Sequence, residues 1–291
     1  MLVVGCGDVG GRVVLRLNSG QRVLALTSSP ARVAELRALG ITPLLGNLDD
    51  AASLRRLSGL AQRVLHLAPP PGEGWADVRS RNLAVALRLR TPPTALVYGS
   101  TSGVYGDCQG AWVDETHAVK PLTPRALRRV DAERRIRHLG RSSGLRVSVL
   151  RIPGIYAPDR PNGTPEARLR KGTPVLRPED DVYTNHIHAD DLARACLAAL
   201  WRGQPQRIYN VCDDTDLKMG DYFDWAAGHC GLPRPPRVPR STAQAALPLV
   251  LLSFMNESRR LRNTRMKREL RLGLQFATVQ AGFAGAAIVK S

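Results

Sequence analysis

One stretch near the start of the chain decides the fold, and it reads Leu2-Val3-Val4-Gly5-Cys6-Gly7-Asp8-Val9-Gly10-Gly11-Arg12. It joins a short apolar run, three glycines at the spacing G-x-G-x-x-G, and a helical pattern that continues to Leu17. Gly5 permits a tight turn, Gly7 lets the backbone approach a pyrophosphate, and Gly10 lets the helix pack on the strand. The helix N-terminus then offers free N–H groups to the phosphates. The stretch therefore predicts a dinucleotide site, and the alternative is a glycine-rich turn without a ligand.

Alternating strand and helix patterns follow this stretch. A turn at Asn18-Ser19-Gly20 separates the first helix from a second apolar run at residues 22–26, which completes a βαβ unit. Further strands are predicted over residues 41–45, 63–68, 95–98 and 145–150, and helices over residues 30–39, 51–58, 82–89 and 124–139. Thr123 is the predicted N-cap of the last of these helices, with Pro124 at its first position. The pattern predicts an α/β fold, a Rossmann-like doubly wound parallel sheet.

The pattern loosens after residue 152. Prolines interrupt the segment that follows, which is typical of loops and short elements around a pocket. Beyond it, helices are predicted over residues 188–201, 222–230, 243–255 and 258–270, and a strand over residues 207–211. We expect a nucleotide-binding domain over residues 1–152, completed by about 186–213, and a smaller C-terminal substrate lobe over residues 153–185 and 214–291.

The chain is strongly basic, with a formal net charge of +17. Arginine supplies nearly all of the positive charge, and the arginines are spread along the whole length. A nucleic-acid footprint would concentrate in one basic patch with aromatic or groove-reading elements. We therefore expect no nucleic-acid partner.

Cysteine usage and hydropathy favour the cytoplasm. The five cysteines form no C-x-x-C pair and are odd in number, which argues against a disulfide framework and against a zinc site. The sequence starts inside the first predicted strand, which leaves no room for a signal peptide, and its longest apolar run, residues 245–255, is too short to span a bilayer. We expect a cytoplasmic protein with no membrane partner.

Five motifs carry a resemblance to a known family. They are the glycine loop and residues 66–68, 99–106, 151–156 and 185–193, which agree with that family in order and spacing. On these residues the chain resembles the extended short-chain dehydrogenase/reductase superfamily, in the branch of nucleotide-sugar epimerases and dehydratases, from residue 2 to about residue 283. The resemblance implies an NAD(P)-dependent oxidoreductase or an epimerase-like enzyme that acts on a hydroxyl or carbonyl substrate.

The resemblance also implies catalytic residues, and here the sequence departs from the family. Thr101 matches the Ser or Thr that hydrogen-bonds the reacting oxygen, but Arg125 and Arg129 stand where the family has its catalytic Tyr-x-x-x-Lys pair. A guanidinium cannot exchange a proton at neutral pH, so the usual proton relay is absent, as in atypical members of the superfamily. Tyr105 is the nearest phenol, and it is either a substitute acid or a loop and pocket residue.

The two arginines leave alternatives open. Arg125, Arg129 and Glu133 share one helical face by their i, i+4 spacing, so Arg129 either hydrogen-bonds a ribose or phosphate or pairs with Glu133. The protein is accordingly either an NAD(P)-dependent enzyme or a non-catalytic NADP(H)-binding sensor that passes the redox state to a partner.

Cofactor choice is expected at the end of the second strand. Thr27, Ser28 and Ser29 bring no acid to the ribose 2′-OH, which favours NADP over NAD. Arg12 and Arg32 either face a phosphate or are solvated helix residues. The cofactor-binding residues that the glycine loop and the resemblance imply are Gly5, Gly7, Asp8, Val9, Gly10, Arg12, Thr27, Ser28, Ser29, Arg32, Asn47, Leu48, Leu67, Ala68, Arg129 and Pro153.

The remaining expectations concern partners. The resemblance implies a small-molecule substrate, anionic or nucleotide-linked, and a homodimer formed through the helices around residues 77–89 and 124–139. His186 and His188 are interpreted as part of a capped helix start, with no metal site. The run at residues 257–271 is interpreted as a charged helix face, part of which can bind an anionic substrate.

Overall fold

The computed structural model describes residues 1–17 and 20–284. The predicted turn residues Asn18 and Ser19 lie outside the described residues, as do residues 285–291 of the predicted C-terminal lobe. The strands are β1 Leu2–Val4, β2 Leu24–Thr27, β3 Thr42–Leu45, β4 Arg63–His66, β5 Ala95–Thr101, β6 Trp112–Val113, β7 Arg146–Ile152, β8 Gly154–Tyr156, β9 Val175–Leu176, β10 Tyr183–Thr184, β11 His186–His188, β12 Arg207–Asn210, β13 Leu217–Lys218, β14 Arg237–Val238 and β15 Arg260–Leu261.

Helices alternate with the strands of the first half and dominate the last third of the described chain. The α-helices are α1 Asp8–Leu15, α2 Arg32–Ala38, α3 Val78–Arg88, α4 Pro124–Ser143, α5 Glu166–Arg170, α6 Ala189–Arg202, α7 Met219–Cys230, α8 Arg240–Ala246, α9 Leu249–Met255, α10 Thr264–Glu269 and α11 Val279–Ala284. Two 3-10 helices span Ala52–Leu57 and Ser102–Tyr105. None of the helices in the described ranges combines the length and apolarity that crossing a bilayer requires.

Seven strands form the central sheet in the order β12-β7-β5-β4-β1-β2-β3, and all of them run parallel. The predicted Rossmann-like doubly wound sheet is therefore confirmed. The chain builds outward from β1 to β3 and then returns to the other side of β1 with β4. This change of direction opens a crevice at the carboxyl ends of β1 and β4, the place where α/β sheets bind ligands.

The core follows from the alternation of side chains along each strand. Leu2 and Val4 of β1 face the layer of α3 and α4, whereas Val3 faces α2. Helices α1 and α6 lie on that second face and share another apolar cluster, to which α1 contributes Val13 and α6 contributes Leu192. Both faces are covered, which explains why the strands are continuous apolar runs.

A separate apolar cluster joins the segment after β7 to the helices of the last third. It contains Tyr156, Leu169, Phe223, Met255 and Val279, all buried. Strand β12 is the edge strand of the central sheet, and helix α6 packs on that sheet. Both elements lie within residues 186–213, which are expected to complete the nucleotide-binding domain. The division into two lobes stays a prediction.

Two predicted helices of the last third are wrong. Residues 258–270 contain strand β15, which pairs in parallel with β6, and only then the short helix α10. The side chain of Asn185 accepts from the N–H of Leu261 at 2.8 Å, so a contact from a distant segment fixes the extended backbone. Residues 243–255 form parts of two helices, α8 and α9, because Pro248 lacks the N–H that a continuous helix needs.

Candidate functional site

The glycine loop between β1 and α1 has the shape that a pyrophosphate requires. Gly5 has a φ of +85°, and a Cβ there would lie 2.4 Å from the backbone N of Ala68, so only glycine fits. A Cβ on Gly10 would lie 3.5 Å from Cγ1 of Val3, so α1 packs closely on strand β1 at this position. A Cβ on Gly7 would meet nothing within 4 Å. The space beside Gly7 is therefore open at the N-terminus of α1, as a bound phosphate needs.

Two cavities meet at the carboxyl edge of the sheet. The first, of about 260 Å³, runs from the glycine loop past the ends of β4, β5 and β7, and we call it the cofactor cavity. The second, of about 330 Å³, lies between the end of β5 and the segments around residues 183–185 and 253–259, and we call it the substrate cavity. Residues that line both are Thr101, Arg125, Pro153, Ile155 and Arg160. The two cavities therefore share one wall, which we call the junction.

Thr101 is the last residue of β5 and lies at the junction. Its Oγ1 accepts a hydrogen bond from the N–H of Gly103 at 3.3 Å, which anchors the side chain at the start of the following 3-10 helix. The hydroxyl hydrogen is a donor that this contact does not use. The structure thus places Thr101 where a donor to a substrate oxygen can act.

Arg125 lies at the junction because of how helix α4 begins. Thr123 caps the helix by accepting from the N–H of Ala126 at 3.2 Å, and Pro124 occupies the first turn, as predicted. Arg125 then follows in that turn and makes no hydrogen bond or ion pair within the described residues. Desolvation and the neighbouring Arg129 lower the pKa of the Arg125 guanidinium, although its side chain is exposed and Glu257 acts in the opposite direction. Arg125 is therefore a cation without a hydrogen-bonded counter-ion within the described residues, and it still carries its charge at neutral pH.

Arg129 lines the cofactor cavity one turn further along α4. Its Nη1 donates to the carbonyl of Gly99 at 2.6 Å and to the hydroxyl of Tyr98 at 3.0 Å. The alternative that Arg129 pairs with Glu133 is wrong. Glu133 instead binds Arg151, with Nη2 and Oε2 2.8 Å apart, because strand β7 brings that arginine next to the helix.

Tyr105 is not available as a substitute acid. Its side chain is completely buried, it lines neither cavity, and its hydroxyl donates to Asn210 Oδ1 at 2.7 Å. Burial raises the pKa of the Tyr105 phenol to about 12. The structure corrects that interpretation and leaves Tyr105 as a core residue beneath the loop.

Arg12 also has a different role from the one expected. Its guanidinium forms ion pairs with Asp8, Asp159 and Asp190 at 3.1, 2.7 and 2.7 Å. Three carboxylates bind this guanidinium and Arg12 does not line the cofactor cavity, which disfavours the expectation that it faces a cofactor phosphate. Arg12 instead fastens α1 to the N-terminus of α6 and to the turn that carries Asp159.

The residues expected near the adenosine lie at the carboxyl ends of β2 and β3. Thr27 Oγ1 accepts from the N–H of Ser29 at 3.2 Å, and Ser28 is exposed beside them. Arg32 donates from Nη1 to the carbonyl of Cys6 at 2.7 Å and pairs with Glu35 at 2.9 Å, so it adjoins the glycine loop. Further expected cofactor residues at this edge are Asn47 and Leu48 after β3, Leu67 and Ala68 after β4, and Pro153 after β7. The NADP preference itself stays a prediction.

Sequence reasoning missed Arg160 and Arg259, which line the substrate cavity. Arg160 pairs with Asp8 Oδ2 at 3.0 Å and donates to the carbonyl of Ile155 at 2.8 Å. Arg259 donates from Nη1 to Glu257 Oε2 at 2.8 Å, and Glu257 lines the same cavity. Arg259 belongs to the run at residues 257–271, for which the sequence predicts a charged helix face that can in part bind an anionic substrate.

Most of the amino-acid sequence matches a known protein family. The sequence model of the NAD dependent epimerase/dehydratase family matches residues 1–212. Protein YeeZ of Escherichia coli is 25% identical over 243 residues, which cover 80% of this chain and 84% of that protein. The matched segments span 45% to 84% of the lengths of the curated relatives.

Solved structures share the fold over nearly the whole chain. A functionally unknown conserved protein from Silicibacter pomeroyi is 29% identical, with a TM-score of 0.79 and coverage of 99% of this chain and 98% of that chain. A dTDP-glucose 4,6-dehydratase from Streptomyces venezuelae, solved with NAD bound, has a TM-score of 0.77 and 20% identity, covering 98% of this chain and 94% of that one. At that identity the second likeness shows the fold alone.

Proposed function

Because the chain belongs to the NAD-dependent epimerase/dehydratase family, we propose that it is an NAD(P)-dependent oxidoreductase or epimerase-like enzyme. One observation carries this proposal: a cavity bounded by the glycine loop joins a second cavity at Thr101. A bound nicotinamide would supply hydride acceptance and donation at this junction. The substrate is a small molecule with a hydroxyl or carbonyl group, and the nucleotide-sugar substrate named for the Streptomyces relative supports a nucleotide-linked or otherwise anionic one.

The residues that would hold the dinucleotide fit it. Gly5, Gly7 and Gly10 form a cradle at the N-terminus of α1, and the pyrophosphate belongs beside Gly7. Arg129 is held by Gly99 and by Tyr98 at the wall of the cofactor cavity, where its remaining donors suit a ribose hydroxyl. The absence of an acid at residues 27–29 supports NADP as the preferred cofactor.

The catalytic roles follow from residue chemistry at the junction. Thr101 donates its free hydroxyl hydrogen to the reacting oxygen and so fixes the orientation of the substrate. Arg125 cannot transfer a proton at neutral pH, so it acts through its positive charge on any anion that forms or binds beside it.

Calorimetric titration of NADP and NAD into the purified protein tests the cofactor site. Gly7→Asp places bulk and negative charge where the pyrophosphate belongs, so its affinity for both cofactors should fall by at least a hundredfold. Gly11→Asp is the matched control, because its added side chain also meets nothing within 4 Å but lies inside helix α1. Wild-type affinity in Gly7→Asp would contradict the assignment of the site.

A second function, a dinucleotide sensor without turnover, is favoured by one observation. Arg125 and Arg129 stand where the resemblance implies the proton relay, and the Tyr105 hydroxyl is buried in the core and bonded to Asn210. A screen of carbonyl compounds and nucleotide sugars separates the two functions. Turnover that Thr101→Ala abolishes identifies the enzyme, and tight dinucleotide binding without turnover of any of these compounds identifies the sensor.

We also propose a homodimer through helices α3 and α4. The two helices pack side by side, and α3 exposes the apolar Val85, which has 57% of its surface accessible. Light scattering at about micromolar concentration tests the proposal, because stable interfaces of standard size commonly have dissociation constants below that level. A monomer under these conditions would contradict it.

A further inference from the structure

The walls of the substrate cavity carry an excess of positive charge. Among the described residues that line it, Arg125, Arg160 and Arg259 are cations, and Glu257 is the one anion. A cavity lined by one sign of charge concentrates ligands of the opposite sign. The cavity is therefore built for an anion.

The three arginines differ in what compensates them. Arg259 is bonded to Glu257 and also donates to the carbonyl of Gly106 at 2.6 Å. Arg160 is bonded to Asp8 and to the carbonyl of Ile155. Arg125 makes no such contact within the described residues.

The positive charge of Arg125 lies close to a second positive charge. Arg129 follows four residues later on the same helix face, and like charges at that spacing repel each other. Desolvation and this repulsion lower the pKa of the Arg125 guanidinium, and Glu257, the anion of the same cavity, offsets them only in part. An anion bound beside Arg125 would relieve both effects.

We infer that the substrate carries a carboxylate directly bonded to the carbon that holds the reacting oxygen, and that Arg125 binds this carboxylate. The inference rests on the proposed function, since it places the reacting oxygen on Thr101. Thr101 and Arg125 line the junction together, so the group that Arg125 binds must lie close to the reacting carbon. In a 2-hydroxy or 2-oxo acid the carboxylate is attached to that carbon, whereas a phosphate ester interposes an oxygen. The planar guanidinium fork also matches the two oxygens of a carboxylate.

The size of the substrate cavity agrees with a small acid. Its volume of about 330 Å³ lies at the lower end of the range for small-molecule sites, about 300–1,000 Å³. Arg125 is on this view the specificity-determining residue, and it occupies the position where the family has its catalytic tyrosine. The replacement exchanges a proton donor for a carboxylate anchor.

D-gluconate and D-glucitol test the inference, because they differ only in a carboxylate against a hydroxymethyl group. Both compounds are titrated into protein saturated with NADPH. The reduced cofactor cannot accept a hydride, so the complex can bind a hydroxy acid without oxidising it. We expect the wild type to bind gluconate at least tenfold more tightly than glucitol. Arg125→Gln should abolish this preference, and Arg125→Lys should retain only part of it, because the lysine keeps the charge but loses the fork. Arg134→Gln is the matched control, since Arg134 is exposed on the same helix and lines neither cavity.

Two results would overturn the inference. One is equal affinity for gluconate and glucitol, or a preference that survives in Arg125→Gln. The other is binding of inorganic phosphate at Arg125 without binding of the hydroxy acid. NADPH affinity, measured in the same samples, distinguishes failure of the proposed function from failure of this inference. A protein that binds no dinucleotide contradicts the proposed function. If NADPH affinity is retained, either of the two results above contradicts only the carboxylate-binding role of Arg125.

Discussion

Glu133 and Arg151 form a buried ion pair, with Oε2 and Nη2 2.8 Å apart and both side chains almost inaccessible to solvent. The same carboxylate accepts from the hydroxyl of Ser100 at 2.6 Å, next to Thr101 on β5. Helix α4 is thereby bonded to β5 and β7 at the level of the junction. Because Glu133 is bound to Arg151, Arg129 is left to donate to the carbonyl of Gly99 at the wall of the cofactor cavity.

Removing one partner of this pair should destabilise the protein severely. Glu133→Gln leaves the Arg151 guanidinium buried without a counter-charge, which costs about 3–5 kcal/mol in comparable cases. Urea unfolding of the variant and the wild type measures the difference in free energy of unfolding. The control is Asp131→Asn, which breaks a more exposed pair with Arg135 on the same helix and should cost about 1 kcal/mol or less. Equal losses in the two variants would contradict a special role for the buried pair.

NADP should bind more tightly than NAD, and Arg32 should carry much of the difference. Arg32 contacts the carbonyl of Cys6 in the glycine loop and lies after the end of β2, where the 2′-phosphate is expected. We expect about a tenfold preference for NADP in the wild type and none in Arg32→Gln. Calorimetry with both cofactors measures it. Arg37→Gln is the control, because Arg37 is exposed on the same helix, and a preference that persists in Arg32→Gln would remove Arg32 from the site.

Thr101→Ala should lower kcat by about a hundredfold or more on an identified substrate and leave dinucleotide affinity unchanged. The variant lacks the hydroxyl that orients the reacting oxygen, and the loss of one such donor commonly costs 10²–10³ in rate. Steady-state kinetics and cofactor titration are measured on the same preparation. Thr101→Ser restores the hydroxyl and should recover most of the rate, so undiminished turnover in Thr101→Ala would exclude Thr101 as a catalytic residue.

Substituting tyrosine at position 125 and lysine at position 129 separates two proposed roles of the arginines. In Arg125→Tyr with Arg129→Lys, dinucleotide affinity should stay within about tenfold, or 1.4 kcal/mol, because the glycine loop is untouched. Binding of hydroxy acids should be lost, because the carboxylate anchor is gone. Titration of NADPH and then of D-gluconate checks both expectations. A collapse of dinucleotide affinity would instead show that Arg129, bonded to Gly99, is essential for the cofactor.

Asp213 should make stability depend on pH. Burial raises the pKa of this carboxyl from 3.8 to about 7, and its Oδ2 has no partner within the described residues. The folded state then binds the proton more tightly than the unfolded state, so the stability gained from the protonated carboxyl is complete below about pH 4 and is lost as the pH rises to about 7.

Asp213→Asn should remove this loss. The variant should gain stability relative to the wild type by about 1.4 kcal/mol per pH unit between pH 4 and 7 and keep a constant difference above pH 7. Urea unfolding across this range measures it. For the control Glu179→Gln, at an exposed site, the free energy of unfolding should change with pH as in the wild type. The same pH dependence in Asp213→Asn would contradict a raised pKa of the Asp213 carboxyl.

Local patterns predicted the sheet and the glycine loop, because both depend on residues close in sequence. A strand buried on both faces is a continuous apolar run, and Gly5, Gly7 and Gly10 act within one turn. Thr101 reaches the carboxyl edge of the sheet because it ends strand β5, and Arg125 reaches it because helix α4 begins there. Their catalytic and binding roles stay predictions.

Contacts between distant segments account for what the sequence did not predict. Arg12 is compensated by Asp159 and Asp190, which lie 147 and 178 residues further along the chain. The strand at Arg260 exists because it pairs beside Trp112, whose ring also lies 5.0 Å from the Arg260 guanidinium. Neither partner is visible in a local charge pattern, so residues 258–270 looked like a helix.

The ion pair between Asp8 and Arg160 joins the two halves of the site. Asp8 begins helix α1 in the cofactor cavity, and Arg160 lines both cavities, so one contact of 3.0 Å spans the boundary between the two ligands. A dinucleotide that displaced Asp8 would release Arg160 from this pair, and a substrate that drew Arg160 away would leave Asp8 paired with Arg12 alone. Thermodynamic linkage makes these effects equal in size, so each ligand changes the affinity for the other by the same factor. The Asp8–Arg160 pair is thus the contact through which heterotropic coupling between the two cavities would pass.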